Sequence, residues 1–185
     1  GRGGGTVRVI AGSAAGRRLE APPGSGTRPT GDRVREATFN ALGSLGVVAD
    51  ASVLDLFAGS GALGIEALSR GAASATFVER DARTLRVVRA NLAATGLADR
   101  GEGVRSDALA MLDATATHWD LALLDPPYAW DGWEGLWEVL RADWAVVERD
   151  VEIQAPAGWE LRRSRRYGGT WVTVLRREAE TTGLG

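Results

Sequence analysis

Two rhythms alternate along this chain of 185 residues. Short apolar runs, such as Val53-Leu54-Asp55-Leu56-Phe57 and Leu121-Ala122-Leu123-Leu124, alternate with stretches whose apolar positions recur every three or four residues. Near-continuous runs suit strands covered on both faces, and the three-to-four spacing suits amphipathic helices. The pattern predicts a strand at Val53–Phe57 and a helix at Leu63–Arg70. A second strand at Ala75–Val78 ends at Glu79, and a helix from Asp81 to about Thr95 puts Leu85, Val88 and Leu92 on one face. Strands at Val104–Ser106, ending at Asp107, and at Leu121–Leu124 come next, followed by a helix at Trp133–Leu140 and a fifth strand at Trp144–Glu148. Trp159–Arg165 and Thr170–Arg176 read as a hairpin across Tyr167-Gly168-Gly169. Strands alternating with helices predict an α/β sandwich around a mainly parallel sheet.

Ahead of this core, Val7–Ile10 reads as a short strand and Pro22–Pro29 as an irregular turn-rich stretch. From Asp32 onward, Val34, Ala37, Thr38, Ala41, Leu42 and Leu45 recur at helical spacing, which leaves Arg33, Arg35, Glu36 and Asn40 on the outer side. Thr30 is the expected N-cap. The organisation expected is an N-terminal extension over residues 1–50, an α/β domain over 51–177 and a flexible tail over 178–185. The glycine-rich residues Gly1 to Gly5 are set aside from the fold.

Charge changes the picture more than composition does. A 44% hydrophobic share permits a substantial core, the 25% charged share predicts a soluble protein, and no apolar stretch is long enough to span a bilayer; the lack of cysteine fits a reducing cytoplasm, the expected location. There is no cysteine and only one histidine, His118, so no metal centre built on thiolates or several histidines is expected. His118 itself reads as a surface or capping residue. The formal net charge is −2, but residues 1–37 hold seven arginines against three acids, while residues 99–160 hold fourteen acids against four arginines. A second basic cluster follows at Arg162, Arg163, Arg165 and Arg166, with Arg163 and Arg165 expected on the same strand face as Leu161. All 22 basic residues are arginine, the side chain that grips phosphate as a bidentate fork. Such local surfaces can serve a polyanion even on a slightly acidic protein.

The candidate chemistry sits where strands end. Gly59-Ser60-Gly61 follows the first core strand, where glycines allow a tight turn and close backbone approach. The run to Gly64 also fits the G-x-G-x-x-G dinucleotide spacing, so the loop alone leaves a nicotinamide oxidoreductase open. Glu79, eighteen residues after Gly61, is placed to accept ribose hydroxyls; Asp107 is placed at an adenine edge, and Asp55 beside the loop. The corner Asp125-Pro126-Pro127-Tyr128 supplies acceptors and a flat ring. Asp125 and the Pro126 carbonyl suit the N–H groups of a planar exocyclic amine, and Tyr128 suits stacking on its ring. Trp130 stands at the expected substrate mouth, whereas Trp133 and Trp137 have core-helix spacing.

Taken together, Asp55-Leu56-Phe57-Ala58-Gly59-Ser60-Gly61, Glu79, Asp107 and Asp125-Pro126-Pro127-Tyr128 occur in the order seen in class I S-adenosylmethionine-dependent amino-methyltransferases. Arg28-Pro29-Thr30, Asp32-Arg33-Val34-Arg35-Glu36 and Phe39-Asn40 resemble, more narrowly, the bacterial 16S rRNA guanine(966)-N2 methyltransferase family, over about residues 7 to 177. The resemblance implies a Rossmann-like sandwich with a mainly parallel seven-stranded sheet and a C-terminal antiparallel hairpin. It implies S-adenosylmethionine held by Asp55, Gly59, Ser60, Gly61, Glu79 and Asp107, and direct methyl transfer to a flipped guanine at Asp125, Pro126, Pro127 and Tyr128. Arg28, Arg33, Arg35 and Trp130 would contact the RNA. The implied partner is 16S rRNA within a small ribosomal subunit or assembly intermediate, met by a monomer. Asp125–Tyr128 alone does not separate guanine N2 from adenine N6 of DNA or RNA, and an inactive RNA-binding or assembly protein is the rival of another class.

Overall fold

The computed structural model describes residues 7–22 and 31–180. Fourteen elements follow in order: β1 (Val7–Arg8), β2 (Arg18–Leu19), α1 (Gly31–Leu45), β3 (Ser52–Asp55), α2 (Ala62–Ser69), β4 (Ser74–Glu79), α3 (Ala82–Ala94), β5 (Gly101–Arg105), α4 (Ala108–Asp113), β6 (Trp119–Leu124), α5 (Trp133–Val139), β7 (Ala142–Arg149), β8 (Trp159–Tyr167) and β9 (Thr170–Arg177).

Seven strands form one sheet in the order β5-β4-β3-β6-β7-β9-β8. The five from β5 to β7 run parallel, while β9 is antiparallel to both β7 and β8. The sheet is therefore mainly parallel and closes with the expected hairpin. Strand residues alternate between two cores. Val53, Phe77, Leu121, Leu123, Val146, Val172 and Val174 face α1, α2 and α3, whereas Leu54, Val78, Ala122, Leu124, Val147 and Leu175 face α4 and α5. Burial on both faces is why these strands read as continuous apolar runs.

Among the described residues, the N-terminal extension has no core of its own. Val34, Phe39 and Leu42 of α1 join the cluster that holds α2, α3 and one sheet face. Phe39 is fully buried, a contribution of about 1.5–3 kcal/mol relative to exposure. A polar staple adds direction. The buried Glu66 carboxylate on α2 accepts from the backbone N–H groups of Ile10 (2.8 Å) and Ala11 (3.1 Å) and from Nε of Arg35 (3.3 Å) and Arg70 (2.9 Å). Arg35 also donates to the Arg8 carbonyl and to Asp32 at 3.0 Å. Arg35 is thus not on the outer side of α1, nor free to meet RNA. A guanidinium can be buried where carboxylates and a carbonyl meet its donors, and here Asp32 and Glu66 do so.

Three further departures have local causes. β2 is too short for any alternation and exists by pairing antiparallel with β1. α4 spans only six residues, less than two turns, and is capped by Asp107 accepting from Ala110 N–H at 3.2 Å. In β8 the register shifts between Leu161 and Arg163, so Leu161 lies opposite Leu175 while Arg163 and Arg165 lie opposite Val174 and Val172. Arg163 and Arg165 therefore face α1, on the opposite side from Leu161. Thr30 and Arg28 fall outside the described residues.

Candidate active site

The chain runs β3 to β4 to β5 toward one edge, then returns to place β6 on the other side of β3. In open α/β sheets such a reversal leaves a crevice beyond the carboxyl ends of the two strands, and ligands bind there. Here β3 ends at Asp55 and β6 ends immediately before Asp125. A cleft of about 600 Å³ opens at this point, within the range of small-molecule sites. Its walls include Phe57, Gly59, Glu79, Asp107, Asp125 and Trp130. Seven of the fourteen expected site residues, Gly59, Glu79, Asp107, Asp125, Pro126, Pro127 and Trp130, thus come together from well-separated parts of the sequence.

The glycine loop is held from two sides. Gly59 has φ +56°, and a Cβ built on it meets nothing within 4 Å; its backbone lies open along the cleft wall. Its N–H donates to Glu79 at 3.1 Å, fixing one carboxylate oxygen at the end of β4. Gly64, on α2, is required for another reason. A Cβ there would stand 2.4 Å from the Phe77 ring and 3.1 Å from the Asp55 carboxylate. Its bareness lets α2 lie against β3 and β4, and its N–H donates to Asp55 Oδ2 at 3.0 Å.

Asp55 lies at the end of β3 beside the loop, as expected, but it does not line the cleft: it is fully buried beneath the loop, where Oδ1 has no hydrogen-bond partner among the described residues. Burial pushes its carboxyl up to about 8, partly opposed by the Gly64 N–H and reinforced by the nearby charges of Asp125 and Glu79. Near neutral pH the carboxyl mostly keeps its proton. Ser60 and Gly61 also stand outside the cleft lining; Gly61 closes the turn into α2, and the Ser60 carbonyl accepts from Asn91 at 2.8 Å.

At the other wall, Asp125, Pro126 and Pro127 line the cleft directly, and the Pro127 carbonyl accepts from Trp130 N–H at 2.9 Å to close the corner. Tyr128 stands just outside, 38% exposed, its hydroxyl 3.4 Å from Thr170 on β9. Trp130 meets Phe57 edge-on at 4.9 Å and begins a row of ring contacts through Trp133 and Trp137 to Trp159. The packing role read for Trp133 and Trp137 agrees with these contacts. Arg33 is exposed on α1, away from the cleft. Arg80, Ser106 and Ala108 also line it and were not foreseen, although each adjoins a strand-end acid. His118 sits at the surface, 2.7 Å from Asp143.

The family model described as Conserved hypothetical protein 95 matches residues 7–176. The chain belongs to this family. Among curated proteins similar to this member of the Conserved hypothetical protein 95 family is the Ribosomal RNA small subunit methyltransferase D of Escherichia coli K12. It is 39% identical over 188 residues, covering 96% of this chain and 93% of its own. Bacillus subtilis YlbH is 38% identical over 184 residues, covering 92% and 99%. The solved structure of Escherichia coli YhhF superposes with a TM-score of 0.83 at 40% identity, covering 95% of this chain and all of that one. The fold is that of the class I methyltransferases, and this family member is an S-adenosylmethionine-dependent enzyme. The cleft fits that cofactor: an open glycine backbone, acids at the ends of adjacent strands and an apolar wall suit a nucleoside with a charged tail. No helix among the described residues is long and apolar enough to cross a membrane.

Proposed function

We propose that this protein methylates the exocyclic N2 amino group of a guanine in 16S ribosomal RNA, as a cytoplasmic monomer acting on the small subunit or an assembly intermediate. The reading is carried by one juxtaposition: the nucleoside-sized cleft at the switch point shares its wall with the rigid Asp125–Pro127 corner. The name of the Escherichia coli relative supports ribosomal RNA of the small subunit as the substrate class.

Glu79 takes the ribose of S-adenosylmethionine, Asp107 takes the adenine edge, and the Gly59 backbone borders the methionine portion. Ser60 and Gly61 shape the loop, and Asp55 fixes it from below through Gly64. When bound, the cofactor supplies an electrophilic methyl group on a sulfonium. Asp125 and the Pro126 carbonyl accept the two N–H bonds of the guanine amine and aim its lone pair. Delocalisation into the ring makes that nitrogen a weak nucleophile, so alignment and fixed dipoles supply most of the rate. Asp125 receives the proton released as the new C–N bond forms; a strong base is not required. Tyr128 stacks on the base, which must leave its helix to reach the corner.

Labelled S-adenosylmethionine offered with naked 16S RNA, small ribosomal subunits and DNA, followed by nucleoside identification, tests the reading. N2-methylguanosine from the ribosomal substrate is expected. N6-methyladenine in place of it would overturn the base assignment, and binding of particle and cofactor without transfer would favour the assembly protein. Asp125→Ala is expected to lower turnover by about 10²–10³-fold, the scale of losing one preorganised polar contact in a site. Cofactor affinity and melting temperature should stay near wild type; a collapse of folding would make Asp125 a structural residue instead.

A further inference from the structure

One basic surface lies outside the cleft and takes no part in the transfer chemistry. Two adjoining open pockets of about 520 and 470 Å³ run between α1 and β8 and share Ala37 and Asn40. Together they make one groove. Ala37, Ala41 and Ser44 form a low floor on α1, which permits close approach of a backbone. Among the described residues, Arg33, Arg162, Arg163 and Arg165 line it against a single carboxylate, Glu36.

The β8 register shift is what turns Arg163 and Arg165 toward this groove. Neither makes an ion pair among the described residues, nor does Arg33. Arg165 donates to the neighbouring Ser164 carbonyl at 3.0 Å, which leaves its charge uncompensated. Arginines on an edge strand also deter strand addition. That role needs charge anywhere along the edge, though, and does not account for three cations aimed at one helix-floored trough.

The groove has a direction. α1 runs antiparallel to β8, so the Arg162 and Leu45 end is remote from the cleft, while the Arg33 end meets Tyr167 and Gly168 at the hairpin turn. Thr170, just past that turn, touches the Tyr128 hydroxyl at the cleft mouth. Residues 99–160 carry a strong acid excess, which repels a polyanion from other surfaces and favours this one.

We infer that the groove between α1 and β8 is the track for the RNA strand flanking the target guanine. Arg163, Arg165 and Arg33 hold its phosphates and deliver the next nucleotide past Tyr128. This rests on the methyltransferase reading above and assigns the face on which substrate lies.

Steady-state methylation of small ribosomal subunits across a salt series reads the phosphate contacts. For an Arg163→Ala, Arg165→Ala pair, KM for the particle is expected to rise at least tenfold. The log–log salt slope should become shallower by about 1.4, at about 0.7 per single-strand phosphate contact. The Arg163→Lys, Arg165→Lys pair should recover much of the affinity, and Arg86→Ala on α3, at the other edge of the sheet, should not change it. Because the chain has no cysteine, Ser44→Cys carries a single thiol-attached photocrosslinker on the groove floor, and crosslinks to 16S RNA are expected. An unchanged KM and salt slope would overturn the track. Crosslinks to a ribosomal protein alone would also overturn it, by giving the groove another occupant. If wild-type protein makes no N2-methylguanosine, the underlying reading fails first, which the wild-type lane shows before any variant is compared.

Discussion

Asp55 and Glu66 are two buried carboxylates only eleven residues apart, yet their surroundings are opposite. Glu66 gathers four donors from three segments and two guanidinium groups. Asp55 receives one donor, keeps one oxygen unbonded among the described residues and lies near two further acids. Donors converge on the carboxylate that ties the N-terminal segment to α2. The one beneath the cleft keeps its proton instead. The contrast teaches where electrostatic tension is tolerated: beside the site that handles charge, not at the joint that only has to hold.

Removing the joint should have the largest effect. Glu66→Ala removes the buried one of the two carboxylates that face Arg35, which is 5% exposed, and the carboxylate that pairs with Arg70. Breaking a buried ion pair from one side typically costs about 3–5 kcal/mol. Urea unfolding should show a loss of that order; a loss below about 1 kcal/mol would mean the network contributes little and would break the contrast.

Gly64→Ala tests how tightly Asp55 is seated. The added methyl must displace the Phe77 ring or the Asp55 carboxylate, an overpacking cost of about 1–3 kcal/mol. The better helix propensity of alanine offsets up to about 1 kcal/mol of it. A lower unfolding midpoint with unchanged denaturant dependence is the expected result, and a stabilised variant would show that α2 has slack.

The last effect, small at any one pH step, is a slope. Because the folded carboxyl of Asp55 lies at about 8 and the unfolded one near 4, the native state holds a proton that the unfolded state has released between those values. Its contribution is therefore fully present below about pH 4 and lost as pH rises through about 8, at no more than about 1.4 kcal/mol per pH unit. Stability curves of wild type and Asp55→Asn should diverge over that window. Parallel curves would mean Asp55 is ionised after all.

The sequence carried the cleft more fully than it carried the joint. Gly59, Glu79 and Asp125 were legible because each stands at or just past the end of an apolar strand, and in a parallel sheet strand ends meet at one edge; Asp107 follows the short polar β5. Arg35 was misread because helical periodicity places polar residues outside unless a partner is known, and its partner lies 31 residues away. Asp107 was read only as a ligand, since α4 is too short to show the spacing that would have marked it as a cap. The facing of Arg163 and Arg165 depends on one register shift in a ladder, a property of the pair β8 and β9 that neither strand carries alone.

That shared core between α1 and the sheet also sets an order in time. Phe39 and Leu42 are made early, yet their cluster includes Val172 and Val174 at the far end of the chain. At about 5–20 residues per second, roughly ten seconds of synthesis separate them. α1 can meet α2 soon after both are made, but the cluster they share is complete only once β9 has followed.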